Sequence, residues 1–408
     1  MLKYHFRKII KLILLIYFIF KNFFFIILNK KNFKNKTIFI AWHWAFGHQA
    51  LLLDSIAKYH KTNKKILVLQ TINLNRNNRF LPELFNNFYK IVHSYESYNV
   101  ESCHINYLSL KIICKLLLKS KVKKILFYED FLKSIVQKYP FKKKLKYYDE
   151  NLNRISEHSD APIWVDRLSK LKKNKYGLNK KLYIKCERFF KEKKIEFKNK
   201  KNAYFFFRSV QTKKSYYDNL RNSYNYENYI LTIKYLANNN YNVFIYADDP
   251  LNNGKINNLK NVFEILNFKK EFDISLLNLF IYQISDKIVG QSSGSQILAS
   301  LMKKKVYILD YTPPFIGFPE STNILLPKFK LGKKILYFNQ YRKTPYIYGQ
   351  GFGKNSFVLS NTSNEIFNFI VKSYKKKIVN KKLPKDLAIY HRKKNRIYCV
   401  SDFEKQID

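Results

Sequence analysis

The run Asp286-Lys-Ile-Val-Gly-Gln-Ser-Ser-Gly-Ser-Gln-Ile-Leu-Ala-Ser-Leu-Met302 assembles the ingredients of an anion site. Ile288-Val289-Gly290 is a short apolar run that reads as a buried strand. Ser292, Ser293 and Gly294 then supply a tight turn whose hydroxyls can cap a helix beginning near Ser295. Residues 305–309 read as the next strand. A strand, a small-polar turn and a helix start place free backbone N–H groups and a positive dipole end at one spot. In an α/β sheet that spot lies at the carboxyl ends of the strands, where nucleotide phosphates bind. The same pattern also serves as an ordinary helix cap, so the surrounding residues must decide.

Arg208 closes the apolar run Ala203-Tyr-Phe-Phe-Phe207. A guanidinium at a strand's carboxyl end faces the same crevice as the serine turn, and its planar fork suits a diphosphate. Tyr217-Asp-Asn-Leu-Arg221-Asn222, followed by Glu227-Asn-Tyr229, adds polar groups to a loop on the same edge. Nearer the amino terminus, Trp42-His43-Trp-Ala-Phe-Gly47-His48-Gln49 spans a strand-to-helix turn. Gly47 permits a sharp bend, and a histidine at the helix start can act as a general base near neutral pH. His43, His48 and Gln49 are the acceptor-side candidates, with His48 first among them.

The elements that must position these residues alternate along the chain. Strands are expected at 37–42, 65–70, 91–95 and 124–129, with helices at 47–60 and 107–119. A charged region, 142–201, holds an expected helix at 181–197. A second series follows: strands at 203–207, 242–246, 288–290 and 306–309, and helices at 226–238, 275–284 and 364–374. Near-continuous apolar strands alternating with helices indicate parallel sheets covered on both faces. The expected organisation is a membrane-associated segment at 1–36 and Rossmann-like domains at 37–200 and 201–375. A basic, peripheral tail occupies 376–408.

Residues 9–28 are strongly apolar, interrupted by Lys11 and Lys21-Asn22, with basic residues on both sides. The length fits a membrane span of about 20 residues, at a cost of roughly 2.5–3.5 kcal/mol for a mid-span lysine. Arg7, Lys11, Asn22 and Asn29 share one side of a helix, which suits an in-plane interfacial helix equally well.

The net charge of +47, from 76 Lys+Arg against 29 Asp+Glu, would suggest nucleic acid. The lysines, however, spread along the whole chain, and Lys, Asn, Ile, Phe and Tyr abound together, as an AT-rich coding bias produces. Anionic partners of other kinds remain favoured: a membrane surface, a nucleotide diphosphate or a lipid-linked phosphate. With 46% hydrophobic residues, 35 Phe and 32 Tyr, large cores are available and global disorder is excluded. Cys103, Cys114, Cys186 and Cys399 match no zinc or redox spacing and read as free thiols. There is no HExxH, no Asp-x-Asp, no Walker A and no GxGxxG; Gly349-Gln-Gly-Phe-Gly353 has another spacing. No metal and no resident cofactor are expected.

On Phe46-Gly-His48, Leu220-Arg-Asn222 with Glu227-Asn-Tyr229, Gly290 to Gly294, Pro313-Pro314 and Asn361-Thr-Ser-Asn-Glu-Ile366, the chain resembles a family of bacterial glycosyltransferases. These enzymes have the GT-B fold, occur with surface-polysaccharide genes and are distantly similar to fucosyltransferases. The resemblance spans about residues 37–375. It implies two Rossmann-like doubly wound domains facing a cleft, with Arg208 and Ser292-Ser293 gripping a donor pyrophosphate. Phe207 stands where fucosyltransferases pair a histidine with that arginine, so the resemblance does not assign fucose as the donor.

The resulting expectation is a metal-independent glycosyltransferase at the cytoplasmic face of the inner membrane. It would move a sugar from a nucleotide-sugar, bound at Arg208, Arg221, Asn222, Ser292, Ser293 and Gly294, to a surface-polysaccharide or lipid-linked glycan. Two other readings compete. A sugar-nucleotide epimerase of the same fold would need placed carboxylates, for which Glu157, Asp160 and Asp166 are the candidates. An RNA- or membrane-binding protein would need exposed aromatic-basic platforms, whereas Tyr204 to Phe207 read as buried.

Overall fold

The computed structural model describes residues 2–42, 46–59, 66–75, 78–85, 89–127, 145–148, 154–158, 176–207, 226–247, 256, 259–291, 294–310, 322–325, 328–336, 356–372 and 396–398. The chain forms two compact units, Met1–Pro140 and Phe141–Asp408. Both are α/β units built on parallel sheets, as the alternation of apolar strands and helices requires.

In the first unit, β1 (Thr37–Trp42), β2 (Ile66–Asn73), β3 (Tyr89–Ser97) and β4 (Lys124–Phe127) pair in the order β3-β2-β1-β4, all parallel. Every residue of β2 is buried, the mark of a strand covered on both faces. Helix α1 (Leu2–Leu28) is followed by the short α2 (Lys30–Phe33), and α3 (Phe46–Tyr59) connects β1 to β2. Helix α4 (Val100–Leu118) connects β3 to β4. The Asn99 side chain caps α4 by accepting from the N–H groups of Glu101 and Ser102. Helix α1 runs along α4 and the edge strand β3, where Phe18 meets Tyr95 and Phe25 meets His93 at ring distances of 5.0 and 4.6 Å. Burial, and then the charge of Lys21, hold the His93 imidazole down to about 4. It is neutral at physiological pH and packs as an aromatic ring.

The second unit contains a seven-stranded parallel sheet of order β16-β12-β11-β10-β7-β8-β9. Its strands are β7 (Lys201–Phe207), β8 (Tyr241–Ala247), β9 (Val262–Glu264), β10 (Lys287–Gln291), β11 (Lys305–Leu309), β12 (Thr322–Leu325) and β16 (Arg396–Tyr398). Alternation along β7 builds both layers. Ala203, Phe205 and Phe207 enter a core with Tyr229, Ile233, Val289, Ile366 and Phe369. Helices α6 (Ile230–Asn238) and α9 (Ser363–Ile370) supply that core. On the other face Tyr204 packs edge-on against Tyr282 of α7 (Ile274–Ile284) and donates a hydrogen bond to Asn278. A hairpin of β5 (Leu145–Tyr148) and β6 (Arg154–His158), and an antiparallel sheet of β13 (Lys328–Leu331), β14 (Lys334–Leu336) and β15 (Ser356–Leu359), complete this unit.

Two segments fall differently from the sequence expectation. Helix α5 (Lys180–Glu192), grouped by charge with the first half, packs on the second sheet's layer. Phe190 stacks on Phe244 and meets Phe280, and Phe189 stacks on Phe272. The division at Pro140 therefore precedes this helix rather than following it near residue 200. The basic tail re-enters the fold, because Arg396–Tyr398 pairs parallel with β12.

Strands β7 and β10 approach closely at Gly290. A Cβ built on Gly290 would stand 2.2 Å from the Phe206 ring, which lies across it. Overpacking of this kind costs about 1–3 kcal/mol. Gly290→Ala should lower the urea midpoint accordingly, and Phe206→Leu in the same chain should recover part of the loss. An unchanged midpoint in Gly290→Ala would mean the ring moves freely.

Candidate functional site

Each sheet has a strand order that reverses once. In the second, β7-β8-β9 run outward one way and β10-β11-β12-β16 the other, so the reversal falls between β7 and β10. Ligands of such sheets bind outside the carboxyl ends at the reversal, where successive crossovers part to opposite faces. Gly290 stands opposite Phe206 in the ladder, so Phe207 and Gln291 end adjacent strands at one level. Arg208 and Ser292 are the residues that follow them in sequence. Helix α8 (Gly294–Leu301) opens at Gly294, one residue ahead of the expected Ser295.

Gln291 is 1% exposed, and neither end of its amide has a hydrogen-bond partner among the described residues. A desolvated amide left unpaired costs roughly 1–3 kcal/mol. Such a group is rare in a finished core and is expected where a ligand completes the hydrogen bonding.

A second polar centre stands one strand along. Asp310 follows β11 with a left-handed backbone (φ 48°), a conformation that aspartate tolerates better than most residues. It is 4% exposed, and its Oδ1 accepts from the backbone N–H of Asn361 at 2.8 Å and from Asn361 Nδ2 at 2.6 Å. Asn228 Nδ2 donates to the carbonyl of Asn361 at 2.8 Å. Thr362 and Glu365 then form a reciprocal capping box that starts α9, and Glu365 also pairs with Lys328 at 2.9 Å. Three sequence motifs are thereby joined: Glu227-Asn-Tyr229, the end of β11, and Asn361 to Ile366. Burial pushes the Asp310 carboxyl up to about 7 against the opposing hydrogen bonds from Asn361.

In the first sheet the reversal lies between β1 and β4. Strand β1 ends at Trp42, in register with Thr71 of β2. Thr71 is fully buried with its hydroxyl unpartnered, and the Trp42 ring lies 4.9 Å from that of His104 on α4. His48 falls in the first turn of α3. Gln49 is fully buried, and its amide is engaged with one backbone unit: Nε2 donates to the Asn78 carbonyl and Oε1 accepts from the Asn78 N–H, each at 3.0 Å. It anchors that loop with one N–H and one lone pair of its amide.

His43, Arg208, Arg221, Asn222, Ser292 and Ser293 lie outside the described residues, as do Asp160, Asp166, Pro313-Pro314 and Gly349 to Gly353, and the side chains of His48 and Glu157. Sequence reasoning passed over Gln291, Asp310 and Thr71. The first two carried a usable signal, because each is a polar residue ending or following a buried strand, the position that singled out Arg208. Thr71 carried none, since threonine is ordinary strand composition.

Among the described residues, no group of His, Cys, Asp and Glu is arranged to hold a metal ion. Cys103, Cys114 and Cys186 are free and buried, and burial pushes their thiols up to about 11, 12 and 12. They are protonated and unreactive at neutral pH.

Among solved structures the chain is similar to a glycosyl transferase family 9 protein from Veillonella parvula, at 10% identity over 71% of this chain and 87% of that one, with a TM-score of 0.41. The E. coli heptosyltransferase WaaC with ADP gives 11% identity over 83% and 100%, with a TM-score of 0.40. A UDP-GlcNAc 2-epimerase from Neisseria meningitidis gives 14% over 68% and 82%, with a TM-score of 0.31. No protein-family model and no curated protein matches the chain. Likenesses this distant carry no argument about site or reaction, which rest on the chain's own residues.

The buried Asp310 makes a pH-dependent contribution to stability. Its folded pKa of about 7 lies above an unfolded value of about 3.9, so the folded state binds the extra proton between them. Its contribution is full below about pH 4 and is lost as pH rises through about 7. Asn at 310 keeps the Oδ1 that accepts both bonds but does not titrate. Asp310→Asn should therefore gain stability relative to the parent across that range in urea titrations at stepped pH. Parallel curves would show that Asp310 is ionised throughout.

Proposed function

We propose that the protein is a glycosyltransferase that moves a sugar from a nucleotide-sugar to a surface-polysaccharide or lipid-linked glycan at the cytoplasmic face of the inner membrane. The observation that carries the reading is the strand reversal between β7 and β10. There a buried, unpartnered amide at Gln291 lies beside the strand end that leads into Arg208. The second unit takes the donor, with Arg208, Arg221, Asn222, Ser292, Ser293 and the helix start at Gly294 at its diphosphate. The first unit takes the acceptor, with His43 and His48 on the loop and helix after β1.

In the reaction, an acceptor hydroxyl oxygen bonds to the anomeric carbon as the bond from that carbon to the diphosphate oxygen breaks. The hydroxyl proton passes to His48, and the nucleoside diphosphate leaves with the bonding pair. Negative charge grows on the leaving oxygen, so Arg208 and the N–H groups at the start of α8 stabilise the transition state more than the ground state. Gln291 is a positioning residue whose amide completes its hydrogen bonds against the bound donor. The resemblance points to a deoxyhexose- or hexose-type donor of the distantly fucosyltransferase-like enzymes, and Phe207 before Arg208 sets the chain apart from fucose-specific ones.

Two substitutions separate the units' roles. Loss of a hydrogen bond to a charged group costs about 1.5–3 kcal/mol, so Arg208→Ala should weaken nucleoside diphosphate binding roughly 10- to 100-fold in calorimetry. His48→Ala should leave that affinity intact and lower turnover about 10²- to 10⁴-fold, the usual loss for a general base. Equal donor affinity in Arg208→Ala, or full turnover with the parental pH profile in His48→Ala, would remove the respective role. Release of epimerised sugar without any acceptor would replace the reaction class.

The reaction needs no divalent cation, since arginine and the helix start neutralise the leaving group and no Asp-x-Asp exists to hold an ion. Turnover should persist in excess EDTA. Activity abolished by EDTA and restored by Mg²⁺ or Mn²⁺ would contradict the assignment.

A further inference from the structure

Helix α1 is the one described helix long and apolar enough to cross a membrane, by length and composition. Its packing decides how such a helix can be used. Phe18, Asn22 and Ile26, spaced four apart, are buried against the first unit. Asn22 Nδ2 donates to Asn106 Oδ1 at 2.8 Å and to Ser109 Oγ at 3.0 Å, both on α4. Lys11 pairs with Glu101 at the start of α4, and the Asn35 N–H donates to the Lys121 carbonyl just past its end. Helix α1 is thus fastened beside α4 along most of its length. On the polar side of the helix Asn22 is docked against α4, and Lys11 reaches Glu101 in a surface ion pair.

The opposite face is apolar and open. Phe6, Ile9, Ile13, Phe20, Phe24 and Ile27 recur at helical spacing, with Ile13 59%, Phe20 61% and Phe24 59% exposed. Cations stand at both ends of it: exposed Arg7 and Lys8 at one, and Lys30, Lys31 and Lys34 at the other. A ridge of large apolar side chains with cations at both ends fits an anionic bilayer surface, where the side chains enter the acyl boundary and the cations meet headgroup phosphates.

We propose that α1 lies flat in the bilayer interface, outward face down, as a fixed part of the first unit, and does not span the membrane. A helix surrounded by hydrocarbon would have to leave α4, exposing the Asn22, Asn106 and Ser109 polar groups, or carry α4 and its lysines into the bilayer. The inference adds to the membrane association in the proposed function and does not depend on the reaction class.

The test uses the full chain with sedimented vesicles of phosphatidylethanolamine and phosphatidylglycerol, and with phosphatidylcholine alone. The parent should bind the anionic vesicles and lose affinity with added salt. Ile13→Glu with Phe20→Glu and Phe24→Glu should lower vesicle partition about tenfold or more, with the parental unfolding midpoint. Depth is read by quenching with lipids brominated near the headgroup or deep in the chain, on Phe6→Trp, Tyr17→Trp and Leu28→Trp, each corrected for the parent's tryptophans. A flat helix gives equal, shallow quenching at all three positions. Deep quenching confined to Tyr17→Trp would establish a span and overturn the proposal. So would undiminished vesicle binding by the triple variant, or a parental dimer that the triple variant converts to monomer without losing vesicle binding. Failure of the parent to bind nucleotide would remove the reaction class and leave the vesicle result standing.

Discussion

The carboxyl edge of the second sheet depends on how closely β7 and β10 approach at Phe206 and Gly290. Strand order reverses between these two, so successive crossovers part to opposite faces of the sheet there. The Phe206 ring fills the volume that a side chain at 290 would take. With the strands locked there, Phe207 and Gln291 finish side by side, and Phe207 enters the core beside Tyr229, their ring centroids 4.9 Å apart. One glycine therefore fixes a packing contact and, through register, the level at which both following loops begin.

The two edges of that sheet treat buried polar groups differently. At the amino edge they close on one another. Asn202 donates from its backbone to Asp286 at 2.8 Å and from its amide to the Phe197 carbonyl at 2.8 Å, while Asn242 donates to Asn202 Oδ1 at 3.0 Å. Ser285 donates its hydroxyl to the Ile281 carbonyl at 2.6 Å. At the carboxyl edge, among the described residues, Gln291 has no partner at either end, and Asn361 Oδ1 has none although its N–H and amide both serve Asp310. Burial costs the same at both edges. The proposed function rests on this asymmetry, a closed amino edge that holds the fold and an open carboxyl edge that a donor would complete.

Much of this was legible because buried parallel strands are nearly unbroken apolar runs. Ala203 to Phe207 and Ile288 to Gly290 announce themselves, and the polar residue after such a run marks the functional edge. That rule singled out Arg208, which lies outside the described residues, and applied evenly it also points to Asp310 after Leu309 and Gln291 after Gly290. Helix α5 was misplaced because its sequence is charged on one side. The side that decides its partner is the aromatic pair Phe189-Phe190, whose contacts are far along the chain and unreadable locally. The strand Arg396–Tyr398 was hidden for a related reason. It is short, edge-bound and set in a basic stretch, so neither apolar length nor alternation distinguishes it from a tail.

Helix α1 shows where hydropathy stops being informative. A long, largely apolar helix satisfies two environments at once, and a window average cannot tell protein on one side and lipid on the other from lipid on both. The four polar positions at 7, 11, 22 and 29 suggested an interfacial helix whose polar stripe faces headgroups. The structure turns Asn22 inward, where it bonds to α4, while Lys11 pairs with Glu101 at the surface. Asparagine is a poor residue to bury without partners, so its full burial against two matched side chains is selective for docking in a way that phenylalanine or isoleucine is not. The polar residues of α1 therefore specify where the helix sits on the fold, and the apolar residues are left to meet what lies outside it.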